Sequence, residues 1–191
     1  MRLRNPGWWL IAAALPLMGQ GLVVRLTGDQ LKIAAPNLRF LEGKLLDRLR
    51  AGNLVVYAAQ LSLVGDNGVG RTRTIERCAA SYDLWEEKFA VASLGVTPRQ
   101  SMSHLTTAGA EAWCLDQVSL RTGSLRENEP FRLRLELQGE DDAGAKATTD
   151  SVLILSRLID LFSRPAPAGS PRWTEESGRL LLQELRNTRR K

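Results

Sequence analysis

Two stretches of the chain alternate between apolar and polar residues with the two-residue period of a β-strand. In residues 131–138, apolar residues at the odd positions alternate strictly with charged or amide residues at the even ones. In residues 54–64 the odd positions are again apolar, whereas Gln60 and Ser62 fall between them. Because successive side chains of a strand point to opposite faces, both stretches predict strands with one buried face and one solvated face.

Other apolar runs predict further strands around these two. The runs at 22–26 and 31–36 flank a Thr-Gly-Asp-Gln turn sequence, which predicts a first hairpin. Residues 71–82 and 88–94 each follow a turn-forming sequence, and both are predicted to be strands. We therefore expect an antiparallel meander in the middle of the chain.

Helical spacing appears in two places between the strands. Residues 45–50 have it and stop before Gly52, a residue suited to the left-handed conformation after a helix end. Apolar residues recur at three- and four-residue steps in 105–118, with Ser103 and Thr106 as alternative N-caps. The predicted fold is α+β, a mainly antiparallel β-sheet or sandwich of six to seven strands with two to three helices.

A last helix is predicted over residues 151–162, and it is apolar around most of its circumference. Only Ser156, Arg157 and Asp160 form a narrow polar stripe. As a helix, this segment would be about 18 Å long, too short to cross a bilayer. It is either buried in its own domain or docked on a partner, and in the second case the contact residues are Leu153, Ile154, Leu158, Leu161 and Phe162.

The first 21 residues have the parts of a secretory signal peptide. Arg2 and Arg4 precede an apolar stretch at 8–18, and small residues follow it. If the apolar stretch is continued through residue 24, an uncleaved membrane anchor is the alternative. We expect an exported protein, either periplasmic or held at the outer side of the membrane. Its predicted parts are the leader or anchor at 1–21, one α+β domain at 22–163, a Pro-rich linker at 164–172 and a C-terminal segment with a basic tail at 173–191.

The net charge of +5 lies at the two ends of the chain. The leader carries +2 and the tail +4, which leaves −1 on residues 22–185. A folded nucleic-acid-binding face needs an excess of Lys and Arg on the domain itself, so nucleic acid is not an expected partner. The tail either contacts an anionic membrane surface or only keeps the chain soluble. Its basic residues are Arg186, Arg189, Arg190 and Lys191.

The residue types offer little for metal or catalytic chemistry. One His and two Cys fall short of the three or four ligands that zinc usually takes, and no phosphate-binding pattern is present, so no metal or cofactor is expected. His104 is expected at the start of the helix that contains Cys114, about 15 Å away by helical rise. A thiol–imidazole pair is therefore only weakly supported, and His104 is expected to be a helix-entry residue with an ordinary structural hydrogen bond. Enzyme chemistry becomes credible only if His104, a carboxylate and Ser103 or Cys114 converge in one cleft.

The two cysteines lie in different predicted elements, Cys78 in a strand and Cys114 in a helix. In an exported protein they can form a disulfide. The alternative is two small buried hydrophobic side chains.

Three segments of the chain carry a resemblance to a known family. They are residues 45–56, the strand pair at 80–82 and 88–91, and the closing stretch 173–185. Together they resemble an uncharacterised bacterial exported family, domain of unknown function 4390, over about residues 28–185. The resemblance implies a secreted or membrane-attached β-rich domain, in some genomes encoded beside a two-component sensor kinase, with no assigned activity or catalytic residues.

These observations favour a non-catalytic interaction module of the cell envelope. It would meet a protein partner or a membrane surface through its last helix, C-terminal segment or tail. The alternative is an envelope domain that binds or senses a small molecule, of unknown identity, and an unrecognised enzyme ranks third. An exposed apolar patch favours the module, whereas a closed pocket of roughly 300 Å³ with convergent polar groups favours the ligand binder.

Overall fold

The computed structural model describes residues 21–66, 68–95, 100–140 and 171–188. Residues 1–20, the apolar segment 151–162, most of the predicted linker, and Arg189, Arg190 and Lys191 lie outside the described residues. The predictions made for them stay predictions.

The described part contains nine strands and three α-helices. The strands are β1 (Val23–Thr27), β2 (Gln30–Ala34), β3 (Val55–Gly65), β4 (Gly70–Asp83), β5 (Lys88–Leu94), β6 (Ser101–Leu105), β7 (Ser119–Arg121), β8 (Phe131–Glu140) and β9 (Arg172–Glu176). The helices are α1 (Gly43–Arg50), α2 (Thr107–Asp116) and α3 (Leu182–Thr188), and one 3₁₀ turn follows β7.

All strand pairs are antiparallel, and they form two sheets. The large sheet has the order β6-β5-β4-β3-β8-β9, and the small sheet has the order β1-β2-β7. The predicted α+β class with antiparallel sheets is confirmed. The described strands outnumber the six to seven expected because β6, β7 and β9 were not among the strands that the sequence predicted.

The helix boundaries follow local signals. Helix α1 ends at Arg50, and Gly52 after it has a φ of 83°, the left-handed conformation predicted for this residue. Helix α2 begins after Thr106, whose side chain accepts a hydrogen bond from the Gly109 N–H at 3.2 Å. Of the two predicted N-caps, Thr106 is therefore the one used.

The core lies on one face of the large sheet, which we call the inward face. Odd-numbered residues of β3 and β8 point into it, and they pack against buried residues of all three helices and of the small sheet. Representative core residues are Tyr57, Leu61, Leu133, Leu137, Leu31, Leu45, Cys114, Leu115 and Leu182. The predicted inward positions of β8 are confirmed, since Phe131, Leu133, Leu135 and Leu137 are all buried. The predicted solvated faces are wrong at two positions, because Gln138 of β8 and Gln60 of β3 are buried as well.

The C-terminal segment packs on the domain, and its strand begins at Arg172, the last residue of the predicted linker. Arg172 is the first residue of β9, and the Ser177 Oγ accepts the Leu133 N–H at 2.9 Å. Leu182 is buried in the core. Strand β9 pairs with the second edge of β8, which would otherwise be an open sheet edge. The five-residue sequence of β9 does not by itself indicate this pairing.

Among the described helices, none combines the length and apolar character that a membrane crossing requires.

Candidate functional site

Among the described residues, a groove lies on the side of the large sheet opposite the core, which we call the outer face. It lies where β4, β5 and β6 are neighbours and has a volume of about 260 Å³. Two of its lining residues, Leu54 and Met102, are 48% and 49% exposed, so the groove is open to solvent. We call it the outer groove, and its lining residues are Leu54, Ala79, Ser81, Ala90, Val91, Ala92, Ser101, Met102 and Ser103.

Small side chains account for the shape of this groove. Alanine and serine dominate its lining, and they leave the pleated surface low between larger neighbours. An alanine-rich sheet face has no charge to keep it solvated, so it is suited to contact with apolar atoms of a partner.

Strand β6, at the sheet edge beside the outer groove, carries a local irregularity. The β5–β6 register shifts between Phe89 and Val91, and His104 has a φ of 60°. Positive φ is uncommon for a residue with a Cβ and marks stored backbone strain. The sequence-based placement of His104 at the start of a helix is therefore wrong, because Ser101–Leu105 pairs with β5 and the helix begins at Thr107.

The irregularity brings three polar side chains together. The Ser103 Oγ lies 2.9 Å from His104 Nδ1, and His104 Nε2 lies 2.9 Å from Glu86 Oε2. With the ring proton on Nε2 donated to Glu86, Nδ1 is free to accept the Ser103 hydroxyl proton. The side chains of His104 and Glu86 are 69% and 53% exposed, so this chain of contacts lies on open surface and not in a cleft.

Glu86 is held near His104 by the turn between β4 and β5. The Asp83 carboxylate accepts the Trp85 N–H at 2.8 Å and the Glu86 N–H at 3.1 Å. These hydrogen bonds lower the pKa of Asp83, and the one from the Glu86 N–H has the larger effect. Glu87 completes the turn with a φ of 52°.

The sequence analysis treated Glu86 as an ordinary turn carboxylate and did not connect it with His104. The two residues are 18 positions apart and meet only because β5 brings the β4–β5 turn next to β6. No spacing rule signals such a contact. Ser103 and His104 were singled out by the sequence, but their carboxylate partner was not.

Cys78 and Cys114 form a disulfide that joins β4 to α2, with their Cα atoms 5.7 Å apart. Beside it lies a small cavity of only about 10 Å³, room for no more than one water. Tyr57 and Glu76 line this cavity. Burial raises the pKa of both groups, and the Glu111 carboxylate raises that of Tyr57 further.

The predicted contact residues near the C-terminus are only partly described. Arg186 lies in α3 and forms an ion pair with Glu127, so it belongs to the folded domain and not to a free tail. Arg189, Arg190, Lys191 and the five apolar contact residues of segment 151–162 lie outside the described residues. Among the described side chains, no three His, Cys, Asp or Glu residues are grouped as a metal site would require.

Comparison with protein-family models, with curated proteins and with solved structures finds no match for this chain.

Proposed function

We propose that this protein is an exported, non-catalytic interaction module of the cell envelope, and that the outer groove is its contact surface. The observation that carries the proposal is the open, alanine- and serine-rich groove beside the edge strand β6. Its volume and its half-exposed Leu54 and Met102 are suited to one or two apolar side chains of a protein partner. A buried small molecule would need a more enclosed cavity.

The disulfide supports the export part of the proposal. A bond between Cys78 and Cys114 persists in an oxidising compartment and is reduced in the cytosol of most organisms. The arginine-led apolar leader is consistent with that compartment.

Fractionation of cells with N-terminal sequencing tests the localisation. We expect the protein in the periplasmic fraction, or bound to the membrane on its extracytoplasmic side, with the Cys78–Cys114 bond present. Recovery from the cytosol with Met1 intact and free thiols would overturn this part.

Photo-crosslinking in living cells tests the contact surface. A photoreactive amino acid placed at Met102 in the groove should give covalent adducts with a cell-envelope protein. The same amino acid at Arg132, which is exposed on the far end of the same sheet, is the matched control. Equal adducts at both positions, or none at Met102, would contradict the proposal.

A hydrolase is the second candidate, because Ser103, His104 and Glu86 form an ordered chain of contacts. In such a reaction, His104 would take the hydroxyl proton as Ser103 attacks an acyl carbon, and would give that proton to the leaving alcohol as the ester bond breaks. Water would then release the acyl group from Ser103, and Glu86 would hold the imidazole in the required tautomer. The exposure of His104 and Glu86 weighs against it, since water weakens each of these electrostatic interactions.

Turnover of a small activated ester separates the two candidates. The binding module predicts that Ser103→Ala and His104→Ala leave any slow background hydrolysis unchanged. A loss of on the order of a hundredfold or more in both variants would establish the hydrolase instead.

A further inference from the structure

Strand β6 is an edge of the large sheet, and among the described residues no strand pairs with its side away from β5, which we call the open edge. The Ser93 N–H donates to the Gln100 carbonyl at 2.9 Å, so the backbone of Gln100 faces β5. Backbone N–H and C=O groups alternate between the two sides of an antiparallel strand. Those of Ser101, an exposed residue, therefore point away from β5. The open edge thus offers a donor and an acceptor to an extended chain.

Strand β6 differs from the other sheet edges in carrying no formal charge. Its sequence, Ser-Met-Ser-His-Leu, contains no Lys, Arg, Asp or Glu. Within the described ranges the other edge strands are β9, β1 and β7, and each carries at least one of these residues. Charged side chains on an edge oppose pairing with a foreign strand, because pairing would take them out of water. The open edge of β6 lacks this protection.

Exposed apolar side chains are concentrated near the open edge. Five large apolar side chains are exposed in the described part of the chain, and four of them belong to the groove lining or to the β4–β5 turn: Leu54, Met102, Leu84 and Trp85. The contact between Glu86 and His104 places that turn beside the end of β6. Clustered exposed apolar side chains are typical of a protein-binding surface.

A strand added at the open edge would bring its side chains to the outer groove. Neighbouring strands lie about 4.8 Å apart, and on the β6 side the groove is lined by Met102 and the small side chains of Ser101 and Ser103. A large apolar side chain of the added strand can therefore lie over the serines and enter the groove. A second copy of β6 would place serines at these positions and leave the groove unfilled, so pairing between two copies fits less well.

The β4–β5 turn gives this surface an acidic border. Asp83, Glu86 and Glu87 are exposed in the turn, and Lys88 after them is half-buried. Residues 83–88 therefore carry a formal charge of −2. A Lys or Arg of the partner is favoured beside this turn, whereas a carboxylate there is repelled.

We propose that the protein partner presents an extended segment that pairs with the open edge of β6 and adds a strand to the large sheet. Backbone hydrogen bonds would hold the segment, and large apolar side chains at its alternate positions would enter the outer groove. A basic residue of the segment would lie beside the β4–β5 turn. This inference rests on the proposed function and deepens it, because it names the chemistry of what occupies the groove.

A proline at Ser101 tests the backbone pairing. Ser101→Pro removes an N–H that points away from β5, so no hydrogen bond within the sheet is lost. Ser101→Ala is the matched control, since it keeps the N–H and removes only the hydroxyl. With the photoreactive amino acid at Met102, Ser101→Pro should reduce the adducts with the envelope protein at least about tenfold, and Ser101→Ala should change them by less than about twofold.

The outcomes separate this inference from the proposed function. Equal adduct yields in the two variants would overturn the inference and leave the proposed function intact, because the groove would then bind side chains without strand pairing. No adducts at Met102 in the otherwise natural chain would sink the proposed function, and the inference with it. Adducts that map to a second copy of this chain, or to the same chain, would also overturn the inference, since a different occupant would then hold the open edge.

Hydrogen exchange provides a second measurement that avoids any effect of proline on folding. In the purified Met102 adduct, the amide of Ser101 should exchange at least about tenfold more slowly than in the free protein. The amide of Gly70, exposed in the first residue of β4, is the control and should be unchanged. Exchange at Ser101 that is the same in the adduct and in the free protein would contradict strand pairing.

Discussion

Glu111 shows how one residue stabilises a loop that has no regular structure. It is buried in α2, and its Oε1 accepts the N–H groups of Phe40 at 2.8 Å and Leu41 at 3.0 Å. Its Oε2 lies 3.4 Å from Arg39 Nη1. Phe40 is thereby held against Tyr57, with 4.9 Å between ring centroids. The carboxylate thus supplies the acceptors that the buried loop lacks.

Replacing Glu111 with Ala should lower the free energy of unfolding by about 3 kcal/mol, because two buried N–H groups lose their acceptor. Glu111→Gln is the matched control, since its carbonyl oxygen can accept both N–H groups. Urea unfolding of both variants measures the effect. Equal losses in the two would show that charge, and not the hydrogen bonds, is what matters.

Glu76 is a second residue whose surroundings disfavour its charge. Desolvation raises its pKa above the ordinary value of a glutamate. The folded state therefore holds the proton more tightly than the unfolded state, and stability is lost as the pH rises from the ordinary pKa through the raised one.

Glu76→Gln should thus raise the melting temperature at neutral pH and have little effect at a pH below the ordinary pKa of glutamate. Thermal unfolding across this pH range is the measurement. Glu184→Gln, at an exposed position of α3, is the control and should show no such pH dependence. A gain for Glu76→Gln that is the same at every pH would mean that desolvation of the charge is not its cause.

At the scale of elements, β6 depends on a conformation that its sequence does not favour. His104 has a φ of 60°, a region in which glycine is unstrained. Its ion pair with Glu86 is exposed and contributes little.

His104→Gly should be more stable than His104→Ala by about 1 kcal/mol, because both variants remove the ring and only glycine relieves the strain. Chemical unfolding of the pair isolates the backbone effect. If the alanine variant proves the more stable, β6 is not strained at this residue.

The disulfide links two elements that are otherwise in separate layers of the domain. Its cysteines are 36 positions apart, and closing a loop of that length in the unfolded chain is worth about 4 kcal/mol. The bond thus fixes α2 against β4.

Replacing Cys78 and Cys114 together by Ala should reduce the unfolding free energy by about that 4 kcal/mol. Adding a reducing agent to the natural protein should give a similar loss and should leave the double variant unchanged. A double variant as stable as the oxidised protein would show that packing alone holds α2 in place.

Across the molecule as a whole, the large sheet is completed from the C-terminal end of the chain. Strand β9 pairs with β8, and Leu180 exchanges two backbone hydrogen bonds with Phe131 at 2.9 and 3.0 Å. Leu182 is part of the core. The last described residues are therefore structural.

A chain that ends at residue 170 should lose cooperative folding and aggregate, because β8 becomes an open edge and the Leu182 site is empty. A chain that ends at Thr188 should unfold at the same temperature as the full protein. Solubility and thermal unfolding distinguish the two truncations. If the chain that ends at residue 170 is soluble and unfolds cooperatively, the C-terminal segment is not needed for folding.

The alternation of residues 131–138, the turn at Gly52 and the cap at Thr106 were sufficient to predict the fold class and most element boundaries. These are local effects of backbone geometry and side-chain periodicity, and they act over a few neighbouring residues. The placement of β6 and β9 was missed, since short edge strands are determined by the partner they pair with.

The amino-acid pattern was enough to establish an antiparallel α+β domain with one clear inward face, a charge confined to the ends, and two cysteines in different elements. The folded arrangement was needed to establish that Cys78 faces Cys114, that Glu86 meets His104, and that the even positions 56, 58 and 60 of β3 are buried. Each of these depends on distances between residues far apart in the chain, which follow from strand order and register and not from local pattern.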